Sequence, residues 1–296
     1  MTVVFFMAEL RGENRFYVMR DAERKNRFAL RAYPERRSGA IPKQAARIPA
    51  HSAGRISGDR VPDSFAFTEK RWYDMGMNEK VGILGAMDAE IDGIISAMSA
   101  VEKTVCCGSE IFTGSIGKRD IVLARSGIGK VNAAFAACLL AGRFGVARIY
   151  MTGVAGGLGG RLHTLDALVP DGFVQYDVIK PGDPDGFIDI LGDVVIRPDE
   201  EMSSELASAC GGVRGLLATG ERFVGSADDK ADIMSRFPGV LAADMESAAV
   251  AQVCARLGVP FACIRIISDE GDISEYYDFK YLAADKAVSA LLNVLK

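Results

Sequence analysis

Three carboxylates in this sequence each stand at the end of an apolar run. Glu90 comes shortly after VGILGA, Glu246 directly follows GVLAADM, and Asp269 closes FACIRIISD. Burial of an ionised carboxylate is costly unless the group is paired or hydrogen-bonded. Carboxylates whose surroundings separate their pKa values can divide acid and base roles. A single one would be explained by its favourable position at a helix N-terminus. Three together predict a catalytic site.

Two glycine-rich segments occupy similar positions. TGVAGGLGG spans residues 152–160 and SGIGK spans residues 126–130. Glycine lets a ligand approach the backbone closely. The first segment lacks the G-x-G-x-x-G frame of a dinucleotide site, and the second has Val131 where a P-loop requires Ser or Thr. Each segment alone is more simply explained as a tight turn between a strand and a helix.

The elements that must position these residues alternate along the chain from Lys80 onward. Short apolar runs of strand length are separated by segments of helical length, and a final helix is predicted from about residue 278. This alternation predicts an α/β domain whose central sheet is covered by helices on both faces. Ligands in such folds bind beyond the carboxyl ends of strands. The carboxylates and both glycine-rich segments lie at such ends, so one site can gather them.

Composition narrows the class of protein. The 296 residues are 49% hydrophobic and 25% charged, as in a soluble globular protein. No apolar stretch approaches the roughly 20 residues that span a bilayer, and the opening MTVVFFMAEL does not resemble a secretory signal. The six cysteines are scattered, which favours reduced thiols in a cytoplasmic protein. With two histidines, His51 and His163, neither a metal site nor a histidine triad is expected.

The N-terminal quarter differs in charge from the rest. Residues 1–76 carry 15 Lys and Arg against nine Asp and Glu, whereas the remainder carries 20 against 30. The segment 34–64 mixes Pro, Gly, Ser and Arg without sustained periodicity. We therefore predict that residues 1–76 form a disordered basic extension. A nucleic-acid-binding arm or a transit peptide is the less favoured alternative.

Five segments together resemble one enzyme family. They read GILGAM.AE, SGIGKVNAA, TGVAGGL, ADMESAA.AQV and R.ISDE. Their order and approximate spacing are similar to those of the 5′-methylthioadenosine/S-adenosylhomocysteine nucleosidases, which belong to the nucleoside phosphorylase superfamily. The resemblance covers roughly residues 79–295 and excludes residues 1–76. It implies a single three-layer domain with a central mixed β-sheet flanked by helices, and a nucleosidase domain over residues 77–296.

The resemblance also implies an activity. Enzymes of this family hydrolyse the N-glycosidic bond of 5′-methylthioadenosine and S-adenosylhomocysteine, and also of 5′-deoxyadenosine. The products are adenine and the 5′-substituted ribose, and the reaction serves methionine salvage and the recycling of S-adenosylmethionine by-products. The partners implied are the nucleoside and water, in a cytoplasmic homodimer without cofactor, metal, nucleic acid or membrane.

By the same resemblance, the carboxylates have distinct roles. Asp269 is the general acid that protonates the purine N7, and Ser268 orients its carboxyl group. An acid in that role needs a raised pKa, which burial at the end of an apolar strand can provide. Glu90 is the base that positions the attacking water. Glu246 accepts hydrogen bonds from the ribose hydroxyls, and Met245 contacts the sugar.

The remaining binding residues implied by the resemblance surround the base and the 5′ group. Phe223 stacks on adenine, and the backbone of Val224 hydrogen-bonds it. Met87 and Ile128 line the pocket for the 5′-alkylthio group, and Tyr277 adds to that pocket.

The glycine loop brings its backbone close to the ligand. The sequence of this loop departs from that of the family at one position. Ala155 and Gly156 supply that backbone, but Val154 stands where many members have serine, so the contact of that hydroxyl is absent. Arg265 resembles the family's arginine near the active-site glutamate, and the resemblance places it among the substrate-binding residues.

Other functions are less well supported by the residues. A phosphorylase would need arginines at the first strand end or before the glycine loop, but the chain reads GAMDAEID and YMTGVAGG there. A futalosine-type nucleosidase would share the chemistry but take a polar 5′ substituent, whereas the 5′ residues implied above are apolar. A non-catalytic nucleoside-binding protein would not require acid, base and ribose-binding carboxylates together.

Overall fold

The computed structural model describes residues 80–178, 191 and 193–296, together with the backbone of three strands near the N-terminus. The chain divides into two units, Met1–Ala66 and Phe67–Lys296. The start of the nucleosidase domain predicted at Met77 lies outside the described residues.

The first unit contains a three-stranded antiparallel sheet. Its strands are β1 (Val3–Leu10), β2 (Glu13–Asp21) and β3 (Phe28–Tyr33), in that order. The prediction of a disordered extension expected no such elements. These segments are rich in Val, Phe and Tyr, which favour strands. That prediction relied on the Pro- and Arg-rich segment 34–64, which lies outside the described residues.

The second unit is built on a nine-stranded mixed sheet. Its order is β11-β10-β9-β12-β8-β4-β7-β6-β5, and β11 also pairs with β8. The strands are β4 (Val81–Gly85), β5 (Ser99–Cys106), β6 (Ser109–Ile116), β7 (Arg119–Arg125), β8 (Arg148–Gly157), β9 (Ala167–Gln175), β10 (Val213–Thr219), β11 (Val240–Asp244) and β12 (Phe261–Asp269). The central strands β4, β8 and β12 run parallel, so their carboxyl ends meet at one edge.

Six helices within the described ranges flank this sheet. They are α1 (Asp88–Ala97), α2 (Lys130–Cys138), α3 (Glu200–Cys210), α4 (Ala227–Arg236), α5 (Ser247–Leu257) and α6 (Ile273–Leu295), with a π-helical turn over Leu139–Arg143. Side-chain N-caps from Asp199, Ser226 and Asp272 begin α3, α4 and α6. The cap at Asp272 starts α6 five residues before the predicted position.

Three clusters of buried residues form the core. One packs α2 and α5 on one face of the sheet, another packs α1, α3 and α6 on the opposite face, and a third packs α4 against β9, β10 and β11. The predicted three-layer α/β architecture is therefore confirmed. Strand β12 is buried along all nine residues, which explains its continuous apolar run and makes its few polar residues conspicuous. No helix in the described ranges is long and apolar enough to span a bilayer.

Candidate active site

A cleft opens at the carboxyl ends of the parallel strands, where the sequence predicted a site. It encloses about 630 Å³, including space open to solvent. Most of the predicted residues line it, and they come from segments far apart in the chain. The lining residues are Ala86, Met87, Glu90, Ile128, Val154, Ala155, Gly156, Arg222, Phe223, Val224, Ala243, Asp244, Met245, Glu246, Ser268, Asp269 and Tyr276.

Glu90 is held in the first turn of α1 by backbone amides. Its Oε2 accepts hydrogen bonds from the amides of Ala86 at 2.7 Å and Met87 at 3.0 Å, and its Oε1 accepts one from Val154 at 3.1 Å. Burial raises the pKa of Glu90, while nearby Arg265 and these three amides act in the opposite direction. The carboxylate is thus fixed in place and has a basicity above that of an ordinary glutamate.

Glu246 immediately precedes α5 and faces the second glycine-rich segment. Its Oε1 accepts a 2.8 Å hydrogen bond from the amide of Gly129. Burial and the neighbouring Asp244 raise the pKa of Glu246 to about 8, against the opposing effect of Arg265. The Glu246 carboxyl therefore binds a proton more tightly than an ordinary glutamate does.

Asp269 ends β12 and is almost fully buried. Its Oδ2 accepts a hydrogen bond from Ser268 Oγ at 2.8 Å, and its Oδ1 accepts one from the amide of Gly271 at 2.8 Å. Burial raises the pKa of Asp269, although both hydrogen bonds act to lower it. The carboxyl is also close to Gly156, where an added Cβ would lie 3.2 Å from Oδ1. Ser268 therefore contacts this group directly, and the orienting role that the resemblance implies for it stays a prediction.

Arg265 lies behind the cleft and does not line it. Its Nη2 lies 2.8 Å from Asp244 Oδ2 and 3.7 Å from Glu246 Oε2, and its Nη1 lies 3.7 Å from Glu90 Oε1. The guanidinium is fully buried, and Nη1 has no hydrogen-bond partner among the described residues. Arg265 is thus placed to offset the charge of three carboxylates, which differs from the substrate-contacting role predicted for it.

Apolar side chains form the opposite wall of the cleft. Phe223 packs edge-on against Tyr276, with ring centroids 5.9 Å apart, and the Tyr276 hydroxyl lies 3.6 Å from Met87 Sδ. The predicted Tyr277 is 62% exposed and does not line the cleft. The ring in that place belongs to Tyr276, the preceding residue of α6.

Several lining residues were not among the predicted site residues. Asp244 stands two residues before Glu246, and its position just before a helix was the available signal. Arg222 directly precedes the predicted Phe223, and it pairs with Asp229 at 2.7 Å. Nothing in the sequence distinguished Tyr276 from Tyr277. No cluster of three or more potential metal ligands occurs within the described ranges.

A family model of known proteins identifies the superfamily of this chain. Residues 80–296 match the family model of the phosphorylase superfamily. The chain belongs to this superfamily.

Individual members of the superfamily indicate a more specific family. The chain is 36% identical over 230 residues to the 5′-methylthioadenosine/S-adenosylhomocysteine nucleosidase of Listeria monocytogenes, covering 73% of this chain and 98% of the relative. It also resembles the crystal structure of that nucleosidase from Neisseria meningitidis in complex with methylthio-immucillin-A, with a TM-score of 0.69 and 31% identity over 74% of this chain and 99% of the other. These matches confirm the family resemblance.

A second similar structure bears on substrate choice. The futalosine hydrolase of Helicobacter pylori strain 26695 has a TM-score of 0.70 and 31% identity, covering 74% of this chain and 97% of the other. The fold therefore accommodates nucleosidases with different named activities, and the side chains of the cleft must decide between them.

Proposed function

We propose that this protein hydrolyses the N-glycosidic bond of 5′-methylthioadenosine and S-adenosylhomocysteine, and of 5′-deoxyadenosine, within the pathways that salvage methionine and recycle S-adenosylmethionine by-products. The observation that carries the proposal is the convergence of Asp269, Glu90 and Glu246 on one cleft. Each carboxylate has different partners, so each can perform a different step.

Asp269 is the general acid. When the bond between ribose C1′ and purine N9 breaks, its electron pair moves to the purine, and the Asp269 proton passes to N7. Adenine then leaves as a neutral molecule. A raised pKa keeps the carboxyl protonated closer to neutral pH, which suits an acid catalyst. Ser268 and Gly271 hold it by one oxygen each, so its orientation is fixed.

Glu90 activates the water. The water oxygen bonds to C1′ as the purine leaves, and the water proton passes to Glu90. Three amide hydrogen bonds hold this carboxylate still, which favours a single attack geometry. Its raised pKa makes it a better proton acceptor than an ordinary glutamate.

Glu246 binds the ribose hydroxyls through Oε2, the carboxylate oxygen that does not accept the Gly129 amide. Hydrogen bonds that a carboxylate accepts from sugar hydroxyls strengthen as positive charge develops on the ring in the transition state. The Met245 side chain lines the cleft beside it and covers the sugar. Phe223 and the Val224 backbone take the adenine.

The charges around the cleft favour water over phosphate as nucleophile. Arg222 is the one cation among the described residues that line it, and Arg222 stands next to the adenine-binding Phe223 and pairs with Asp229. Glu90, Asp244 and Glu246 face the sugar side. A phosphate ion there would meet carboxylates, which repel it.

The 5′ end of the nucleoside lies against Met87, Ile128 and Tyr276. Met87 and Ile128 have no charge, and Tyr276 presents its ring and a hydroxyl directed at Met87. Such a wall fits an alkylthio group better than the polar substituent of futalosine.

We further propose that the nucleosidase domain of residues 77–296 acts as a cytoplasmic homodimer. Exposed apolar side chains at Ile128, Val131 and Phe135 lie together on α2 and the loop before it, beside the cleft mouth, and favour a subunit interface there. All six cysteines are free thiols, which supports a reducing compartment. Sedimentation of the purified protein tests the dimer, and a monomer at micromolar concentration would refute it.

The deciding experiment measures adenine release in phosphate-free buffer. Methylthioadenosine, S-adenosylhomocysteine and 5′-deoxyadenosine should each give adenine and the free 5′-substituted ribose. Futalosine is the comparison substrate and should be cleaved much more slowly. A strict requirement for phosphate, with a sugar 1-phosphate as product, would instead establish a phosphorylase.

A further inference from the structure

The Gly129 amide that binds Glu246 belongs to the loop before α2, and the next residue of the chain, Lys130, is held by contacts with other segments. Gly129 is the last residue before α2, and its amide donates to Glu246 Oε1. The next amide in the chain, that of Lys130, turns away from the cleft and donates to Glu221 Oε1 at 2.9 Å. Two successive amides therefore hold carboxylates from two different segments.

A closed ring of contacts forms around Lys130. Its ammonium lies 2.5 Å from Asp177 Oδ1, and the other oxygen of Asp177 accepts the amide of Glu221 at 2.9 Å. Because Glu221 also accepts the Lys130 amide, the contacts return to their starting residue. We call these three residues, Lys130, Asp177 and Glu221, the clamp. Its members follow β7, β9 and β10, so it joins three strand ends.

A displacement of the clamp residues would move the Gly129 backbone. The Lys130 side chain is only 16% exposed, and Gln175 Oε1 accepts a second hydrogen bond from its ammonium at 3.2 Å. Partial burial strengthens such ion pairs relative to those on the surface. Glu221 also packs against Gly129, where an added Cβ would lie 2.8 Å from its Oε2. The Gly129 backbone thus has little room to move while Glu221 is held.

We propose that Lys130 is a positioning residue for the ribose site. Through the clamp it keeps the Gly129 amide on Glu246, and so directs the other carboxylate oxygen towards the ribose hydroxyls. Lys130 itself touches no substrate. The inference rests on the proposed function, since it assumes that Glu246 binds ribose.

The test compares kcat/KM of Lys130→Met on methylthioadenosine and on its 2′-deoxy and 3′-deoxy analogues. Glu246→Gln, measured in parallel, identifies the analogue that lacks a hydroxyl bound by Glu246, because its effect is smallest there. Lys130→Met should lower kcat/KM on methylthioadenosine by about tenfold or more, the effect of a lost hydrogen bond to a charged group. On the analogue identified by Glu246→Gln the loss should shrink to a few-fold.

Two further variants separate positioning from general damage. Asp177→Asn should reproduce the pattern, and the double variant should lose no more than either single one, because both changes open the same ring. Lys103→Met removes an ion pair of the same 2.5 Å length with Glu110, on the edge strand β5, and should leave kcat/KM unchanged.

The outcomes are distinguishable. An equal loss of Lys130→Met on all three substrates, or no loss at all, would overturn the positioning role while the wild-type protein still released adenine. Wild-type protein that released no adenine without phosphate would instead refute the proposed function.

Discussion

Gly153 gives the sharpest test of the site, because its missing side chain makes room for both Glu90 and Arg265. A Cβ added there would lie 2.9 Å from the Glu90 carboxyl carbon, and closer still to Glu90 Oε1 and Arg265 Nη1. Ordinary contact begins at about 3.4 Å. The carboxyl carbon must therefore move by about 0.5 Å, and the oxygen by more. Both groups are fully buried, so neither can swing into solvent.

Such a displacement reaches the tolerance of a catalytic site, which is about 0.5 Å. A shift of about 1 Å can cost about 100-fold in rate. Gly153→Ala should thus lower kcat for methylthioadenosine by about 100-fold. Overpacking should also cost about 1–3 kcal/mol in the free energy of unfolding, so the variant stays folded if the protein is ordinarily stable. Adenine release measures the first effect and urea unfolding the second.

Gly142→Ala is the matched control, since Gly142 is exposed and an added Cβ there meets no atom within 4 Å. It should keep full activity. If Gly153→Ala were folded and as active as Gly142→Ala, the Glu90 carboxylate would not need its observed position, and its role in directing water would be refuted.

Three other predictions concern the proton-bearing groups and the extent of the domain. Asp269→Asn cannot donate a proton, so kcat for methylthioadenosine should fall by about 10²- to 10⁴-fold. The loss should be smaller for a nucleoside whose purine leaves without protonation. Equal losses on both substrates would make Asp269 a binding group only. Because the pKa of Glu246 is raised from 4.5 to about 8 on folding, the folded state binds an extra proton between those values, and stability falls as pH rises through that window. Thermal melts of Glu246→Gln should accordingly depend less on pH than those of the wild type, and parallel curves would contradict the raised pKa. A chain that begins at Met77 should release adenine with unchanged kcat/KM, since every described cleft residue lies beyond it; an inactive but folded product would show that the first unit contributes to the site.

Much of the site could be predicted because its residues stand at strand ends, where a buried strand stops and a polar side chain follows. Glu90, Glu246 and Asp269 are visible in this way, and the cleft brings all three together. The α/β class follows equally from alternating strand and helix lengths. These features are local in sequence, so pattern alone exposes them.

The remaining features depend on contacts between segments that are far apart in the sequence, and no local sequence pattern predicts such contacts. Arg265 lies in the middle of an apolar strand, and only the packing of β12 shows that it faces three carboxylates. The crowding around Gly153 arises because Glu90 and Arg265 reach it from other elements. The inward turn of Tyr276 depends on where α6 begins, and Asp272 sets that start through its cap. The clamp around Lys130 joins residues up to 91 positions apart.

The charge of the buried cluster connects the structure to the chemistry. Arg265 supplies one positive charge against Glu90, Asp244 and Glu246, so full ionisation would leave the cluster with an excess of two negative charges. Burial makes such an excess costly, which is why the pKa values of Glu90 and Glu246 are raised. Whenever Glu90 or Glu246 is ionised, the cluster therefore holds negative charge that Arg265 does not offset. That charge attracts the positive charge that develops on the sugar in the transition state. The sugar then supplies the missing charge at the moment of bond breaking, and an attraction that grows towards the transition state is the kind that accelerates the reaction.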